Sequence, residues 1–372
     1  MQRICNKLKS INMKRNLFFA AATTLLMAAS MTSCKKGADA VLPTTKDGKK
    51  ITEFFEKHQR SYETFTVNAA TGGVITTSKG SKLTIPAGAF KKLNGTVVNS
   101  GNVKVKVLDI FNPSDMLLSN KPTITTSGAM LESFGEIRVD ATINDTVLAL
   151  NDKPLMVVMP VNNGAAGQQR EIPMWNGVEP DQIQEYVMNG HNHVNQPTSV
   201  THQIFMATTL QWEQIAGIGT ATPTQSSFPI DALGQWRNCD ALYNDPRPKT
   251  TVLGYFGNGF NPESNENVNS YMKPSMLFFK TKTTNTLLRF TTGILNAAAG
   301  KDGFMSYQNS IPVGQEGTFL AITSMNDKFY AELKDVTIGA PASGTTFFGV
   351  DFNMTEVTES GLLSLINQLD TK

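Results

Sequence analysis

Short alternating segments punctuated by turn residues constrain this chain more than any other feature. Val103-Lys104-Val105-Lys106-Val107 sets valines on one side of an extended backbone and lysines on the other, which is the period of a half-buried strand. Phe134 to Thr142 repeats the pattern, with Ile137, Val139 and Ala141 on one face and Arg138 and Asp140 on the other. Leu155 to Pro160 is continuously apolar, as in a buried strand. Gly72-Gly73 and Gly80-Ser81 each open a turn that runs into a strand, at Val74–Thr77 and Lys82–Ile85. Further strands are expected at Arg170–Trp175, Ile204–Trp212, Thr251–Phe256, Met276–Thr281, Thr286–Thr292, Thr318–Thr323, Phe329–Leu333 and Thr346–Phe352. Strands at intervals of about ten residues with turn signals between them suggest sandwiches. Only 17% of residues are charged, too few to solvate many long helices. The expected fold is mainly β, with two consecutive β-sandwich-like domains.

Helical spacing occurs near the two ends. Ile51, Phe54, Phe55 and His58 predict a short amphipathic helix within Ile51–Phe65, and Val357, Leu362, Leu363, Leu365, Ile366 and Leu369 predict another over Glu356–Leu369. The Thr/Pro/Ser-rich stretch Thr220–Ser227 reads as a linker. The expected division is a leader over 1–33, a tether and short helix over 34–65, a first β domain with an extension over 66–219, and a second β domain over 220–372.

The leader has a distinct chemistry. Lys14-Arg15 precedes an uncharged, mostly apolar stretch from Leu17 to Met31. This is short of the roughly 20 residues that span a bilayer and fits the apolar region of a signal peptide. Translation can start at Met1 or at Met13, just ahead of the basic pair. The stretch ends Met31-Thr32-Ser33-Cys34, which resembles the bacterial lipobox: an apolar residue, two small ones and a cysteine whose thiol accepts diacylglycerol. The resemblance implies lipidation at Cys34 and membrane attachment through acyl chains, each buried methylene adding about 0.8 kcal/mol. Lys35-Lys36 follows, where an aspartate would mark retention in the inner membrane. The implied address is the outer membrane, facing either the periplasm or the cell exterior.

Removing the leader also changes the charge. The net charge of +2 includes five bases and no acid within residues 1–33, so the remainder holds 28 bases against 31 acids, or −3. No basic run is dense enough to follow a phosphate backbone, which argues against nucleic acid as a partner. Of Cys5, Cys34 and Cys239, only Cys239 is left after processing and lipidation, so no internal disulfide is expected.

Gly73-Val74-Ile75, Leu83-Thr84-Ile85-Pro86-Ala87-Gly88-Ala89-Phe90, Val103–Val107 and Gly135-Glu136-Ile137-Arg138-Val139 together resemble a ZU5-type β-sandwich domain. The resemblance covers about 68–161, and Ile85–Ala89 is its most specific part. Asp115–Ser119, Met130–Ser133 and the Gly234-Gln235-Trp236-Arg237-Asn238-Cys239-Asp240 run look like segments of Bacteroidetes outer-membrane lipoproteins, with Gln235 inserted between Gly234 and Trp236. ZU5-type domains serve mainly as interaction modules. Some cut themselves at His-Phe-Ser, a step this chain lacks.

Candidate chemistry is sparse. His191 and His193, with His202 nearby, are the one histidine cluster and the weak candidates for metal; Gly, Asn, Gln and Pro around them point to a solvated loop tip. Cys239-Asp240 lies between Trp236 and Leu242, where a lone cysteine is commonly a small hydrophobe and not a nucleophile. Glu132, Glu136 and Asp140 can supply the carboxylate pair of a glycosidase, but Glu136 and Asp140 flank Arg138 on the outward face of one strand, the pattern of a solvated, charge-mixed sheet. Asn261–Asn267 is oxygen-rich without the register of a calcium loop. Gly254, Gly257 and Gly259 do not form a dinucleotide fingerprint. Trp175, Trp212, Tyr255 and Phe260 are the weak candidates for ligand stacking, and also for core filling.

No cofactor is expected. The expected role is a non-enzymatic, lipid-anchored binding or scaffolding module of the cell envelope, its partners the membrane and an envelope protein or glycan. The alternatives are a carbohydrate-binding accessory protein of a polysaccharide-uptake system and a hydrolase with an unrecognised site.

Overall fold

In the computed structural model, Val103, Val105 and Val107 turn inward from strand β5 (Asn102–Ile110) and lose all contact with water, while Lys104 and Lys106 stay exposed. The structure describes residues 46–161, 170–179, 202–205, 209–257, 259–260, 274–297 and 301–372. They lie in one compact unit, Thr44–Lys372. The described residues are mainly β, with a short helix near each end of the unit.

β5 pairs with β1 (Glu63–Asn68) on one side and β7 (Glu136–Ile143) on the other. From β7 the antiparallel path continues through β14 (Trp236–Cys239), β10 (Arg170–Val178), β12 (Gln211–Ala221), β13 (Gln225–Ile230), β9 (Leu155–Pro160), β3 (Lys82–Ile85) and β2 (Gly73–Thr76). The path thus ends on β1 and β2, which are consecutive in the chain and bridged at Asn68 and Gly72. The result is a nearly closed ten-stranded barrel, an arrangement that leaves little free strand edge. Gly72 makes the tight passage with φ of +66°; a β-carbon there would lie 2.1 Å from the carbonyl oxygen of Ile85. Inward residues such as Ile75, Leu83, Ile85, Val139, Val157, Met174, Phe228 and Cys239 fill the barrel. Phe90 folds back as a buried plug, as its Pro-Ala-Gly-Ala approach suggests.

The barrel draws β13 and β14 from beyond residue 220, so its sheet runs past the boundary expected there. The stretch expected as a linker is a β-hairpin: Thr220 pairs with Ser227 and Ala221 with Ser226, and the Thr222 hydroxyl and amide both donate to the carbonyl of Gln225. The first helix also differs from expectation. Helix α1 covers Lys46–His58, and Glu63–Phe65, expected as its end, belongs to β1, where Phe65 pairs with Val105. Alternation at Glu63–Val67 wins over helical spacing because β5 offers a strand edge to complete.

The second half centres on a five-stranded antiparallel sheet: β18 (Leu287–Phe290), β17 (Ser275–Thr281), β22 (Glu316–Met325), β23 (Lys328–Thr337) and β25 (Thr355–Val357). Both faces of its middle strands are covered. Met276, Phe278, Leu320 and Ile322 face the outer wall of the barrel, helix α1, helix α2 (Pro113–Leu118) and helix α3 (Glu359–Gln368). Leu277, Phe279, Phe319 and Ala321 face a further sheet, where they meet Val252, Phe304 and Phe352. That sheet contains β16 (Lys249–Phe256), β19 (Thr292–Ala297), β20 (Lys301–Met305), the parallel partner β24 (Phe347–Phe352) and the edge strand β11 (His202–Phe205). A strand buried on both faces cannot alternate, which explains the unbroken run Met276-Leu277-Phe278-Phe279. Thr358 caps α3, accepting a hydrogen bond from the amide of Gly361.

Candidate functional site

The polar groups that most need explanation sit where the barrel wall meets the middle sheet. Register places them. Ile110 of β5 stands opposite Glu136 of β7, Glu136 opposite Asn238 of β14, and Asn238 opposite Trp175 of β10. One repeat along the strands, Leu108, Arg138 and Trp236 form the next outward row. These side chains point away from the barrel core. Leu108, Ile110, Trp175 and Trp236 share their packing instead with Trp212, Met276, Phe278 and Leu320. Glu136 and Asn238 lie in the same sealed joint, both fully buried. The solvated face expected for Glu136 is therefore corrected: it is outward with respect to its own sheet, but a second layer covers it.

Asp240, just past the end of β14, anchors the joint. Its carboxylate accepts from the Asn238 side-chain amide at 2.8 Å and from the Phe134 backbone amide at 3.1 Å, and its carbonyl accepts from the Trp175 indole at 2.8 Å. Burial pushes the Asp240 carboxyl well above the usual range, against the Phe134 and Ser133 hydrogen bonds, which favour the charged form. Glu136 is raised for the same first reason, with the nearby Asp240 charge adding to it and Lys121 opposing it. Neither carboxyl oxygen of Glu136 nor Oδ1 of Asn238 receives a hydrogen bond from the protein. A neutral Glu136 carries one O–H donor, and Asn238 Oδ1, directly across the ladder, lacks one. Burial favours the protonated form of Glu136, whose O–H is the kind of donor that Asn238 Oδ1 lacks.

Lys121 closes the rim. Its ammonium lies 5.3 Å above the Trp236 ring and 3.4 Å from the Glu179 carboxylate. Beyond it, Arg138 pairs with Asp140 at 3.3 Å, and burial raises the Tyr62 phenol to about 12. Glu136 and Asp240 are both fully buried within the joint, so neither carboxyl faces solvent. Glu132, the other carboxylate considered for glycoside chemistry, is ion-paired with Arg170 at 2.9 Å.

The remaining candidates fall in different places. Cys239 points into the barrel, where burial first and the Asp240 charge second push its thiol far above the ordinary range, the reverse of what a nucleophile needs. Trp175 and Trp212 are both buried, and the Trp212 indole donates to the Pro122 carbonyl at 3.0 Å. Tyr255 is buried beneath Lys301, whose ammonium lies 5.0 Å from the ring. Phe260 packs edge-on against Phe256 and Phe304. Trp236 is buried too, so none of the three tryptophans offers an open face. His202 lies on β11 opposite Leu295. His191, His193, Cys34 and the oxygen-rich residues Asn261–Asn267 lie outside the described residues. Among the described residues, no three His, Cys, Asp or Glu side chains converge in a way that could hold a metal ion. The joint itself left one trace in the sequence: two polar residues, Asn238 and Asp240, flank an apolar cysteine where a strand ends. No protein-family model, curated protein or solved structure matches this chain.

Proposed function

We propose that this chain is an exported lipoprotein of the cell envelope, held to the outer membrane through Cys34, whose β body acts as a non-enzymatic binding or scaffolding module. The observation that carries this reading is Lys14-Arg15, the apolar Leu17–Met31 and Met31-Thr32-Ser33-Cys34, in that order. Supporting it, nine residues separate Cys34 from the unit Thr44–Lys372, so the proposed anchor precedes it in the chain. The chemistry of the described residues also fits a passive role: the buried carboxyls serve a joint, and the one described cysteine is sealed in a core. A glycan-binding role would draw on Trp175, Trp212, Tyr255 and Phe260, whose rings are occupied by packing. The finer architecture belongs to the same proposal: a ZU5-like unit extended by later strands into the barrel, then a second sandwich-like region built on the middle sheet. The Leu83–Phe90 run supports it, with Leu83, Ile85 and Phe90 all in the barrel core.

The test is metabolic labelling with palmitate in cells producing the full chain. Incorporation that disappears in Cys34→Ser, together with release of that variant from envelope fractions, is the expected result. Unlabelled protein, or a serine variant that still sediments with envelopes, refutes the anchoring.

A further inference from the structure

Three atoms in the joint between the barrel and the middle sheet call for a further partner. Both carboxyl oxygens of Glu136 and Oδ1 of Asn238 are fully buried and make no hydrogen bond to the protein. Glu136 and Asn238 stand directly opposite each other on β7 and β14, and side chains so placed leave the sheet about 5 Å apart on the same face. The Asn238 amide is already oriented. Its nitrogen donates to Asp240 Oδ2 at 2.8 Å, two residues along, which turns Oδ1 away from Asp240. Ile110 and Trp175 flank the pair in the ladder, and their packing with Met276, Phe278 and Leu320 keeps bulk solvent out. In such surroundings a polar atom without a partner is destabilising.

Counting donors and acceptors selects the ligand. In the protonated form that burial favours, Glu136 brings one O–H donor and one carbonyl acceptor, and Asn238 Oδ1 brings a second acceptor. A direct bond from Glu136 to Oδ1 uses the donor and one acceptor, and leaves the carboxyl's carbonyl bare. Water carries two O–H donors and accepts through its oxygen. That oxygen takes the Glu136 O–H, one hydrogen returns to the carbonyl of the same carboxyl, and the other goes to Asn238 Oδ1. All three atoms are then served by one molecule, with the three bonds typical of a buried water.

Lys121 favours the same ligand over a cation. It is the positive charge that Glu136 senses, yet its ammonium does not hydrogen-bond to either carboxyl oxygen. A polar contact too long to be direct is the geometry that water completes, here through its second lone pair. A metal ion would instead have to displace the Glu136 proton and sit in the field of that ammonium.

We infer that a single water molecule is built into the joint, bridging the Glu136 carboxyl and Asn238 Oδ1. The test is a crystal structure of the full chain, grown from detergent at about pH 6, with solvent omitted from the joint before difference density is calculated. The expected result is one peak at about 2.6–3.0 Å from a Glu136 oxygen and from Asn238 Oδ1. Glu136 touching Oδ1 directly, with no peak between them, overturns the inference. So does a peak held at about 2.4 Å by both Glu136 oxygens, which is the distance of a calcium-like cation. A solution measurement stands beside it. Magnetic relaxation dispersion of water oxygen-17 counts long-lived internal waters; Glu136→Met should lose one relative to the natural chain, and Glu356→Met, exposed on β25, none. An unchanged count in a folded Glu136→Met variant also overturns the inference. If that variant does not fold, the crystal structure decides alone.

Discussion

Glu136→Gln should stabilise the protein at pH 8 and leave it nearly unchanged at pH 5. The carboxyl is fully buried and unpartnered, and burial raises its pKa well above 4.5, so the folded protein keeps a proton that the unfolded chain releases near 4.5. For a carboxyl held neutral, the sign is the reverse of the usual ion-paired acid. Its contribution is intact below pH 4.5 and is lost as pH rises through the window between the unfolded and folded values. Each pH unit in that window costs about 1.4 kcal/mol. Asp240 adds a slope of the same sign. Glutamine keeps the shape, has no proton to lose, and brings an amide donor to Asn238 Oδ1. A gain of about 1.4 kcal/mol, one pH unit's worth, corresponds to roughly 2 °C in melting temperature for a body of this size. The assay is thermal unfolding of both proteins at half-unit steps from pH 5 to 8.5. The curves should meet at the acid end and separate steadily above it. A wild-type melting temperature that holds level from pH 6 to 8, with the glutamine variant lower throughout, would mean that Glu136 is ionised and held by Lys121, and the reasoning fails.

Three further outcomes follow from the packing. Gly219→Ala should cost about 1–3 kcal/mol, because its β-carbon would fall 2.2 Å from Cys239 Sγ; Cys239→Ala in the same chain should recover part of this in a double-mutant cycle of denaturant melts. Trp212→Ala should cost about 3–5 kcal/mol, read as a lower denaturation midpoint, since the ring is wholly enclosed and its indole serves the Pro122 carbonyl. Iodoacetamide at pH 8 should leave Cys239 unmodified in the native protein and alkylate it in denaturant; rapid native alkylation, followed by mass spectrometry, would contradict a sealed thiol pushed far above its ordinary range.

Periodicity made half of this architecture legible. Val103, Val105 and Val107 announced an inward face, and the structure buries all three. Ile51, Phe54 and Phe55 announced a helix face, though the helix begins earlier and stops at His58. What periodicity reports is the side of a strand's own sheet, not whether another layer covers it. Glu136 was misread for that reason, and Trp175 and Trp212 stood undecided between core and ligand. The missing information was present at Met276–Phe279, a run that needs cover on both faces, but nothing local says which distant surface supplies the cover. Thr220–Ser227 shows a second limit. Composition there reads as a spacer, whereas the Thr222 hydroxyl and the adjacent ladder turn it into a hairpin.

Helix α1 and helix α3 complete the same core: Ile51, Phe54 and Phe55 pack with Leu362, Ile366 and Leu369, and Lys57 and His58 both reach Glu359. The first described helix therefore waits for the last. A polypeptide leaving the ribosome amino end first would deliver α1 long before α3 and be unable to close that core until the final turns of α3 had emerged. Until then the apolar side of α1 is unmatched and open to chaperones, and a stop codon only a dozen residues early would leave it so permanently.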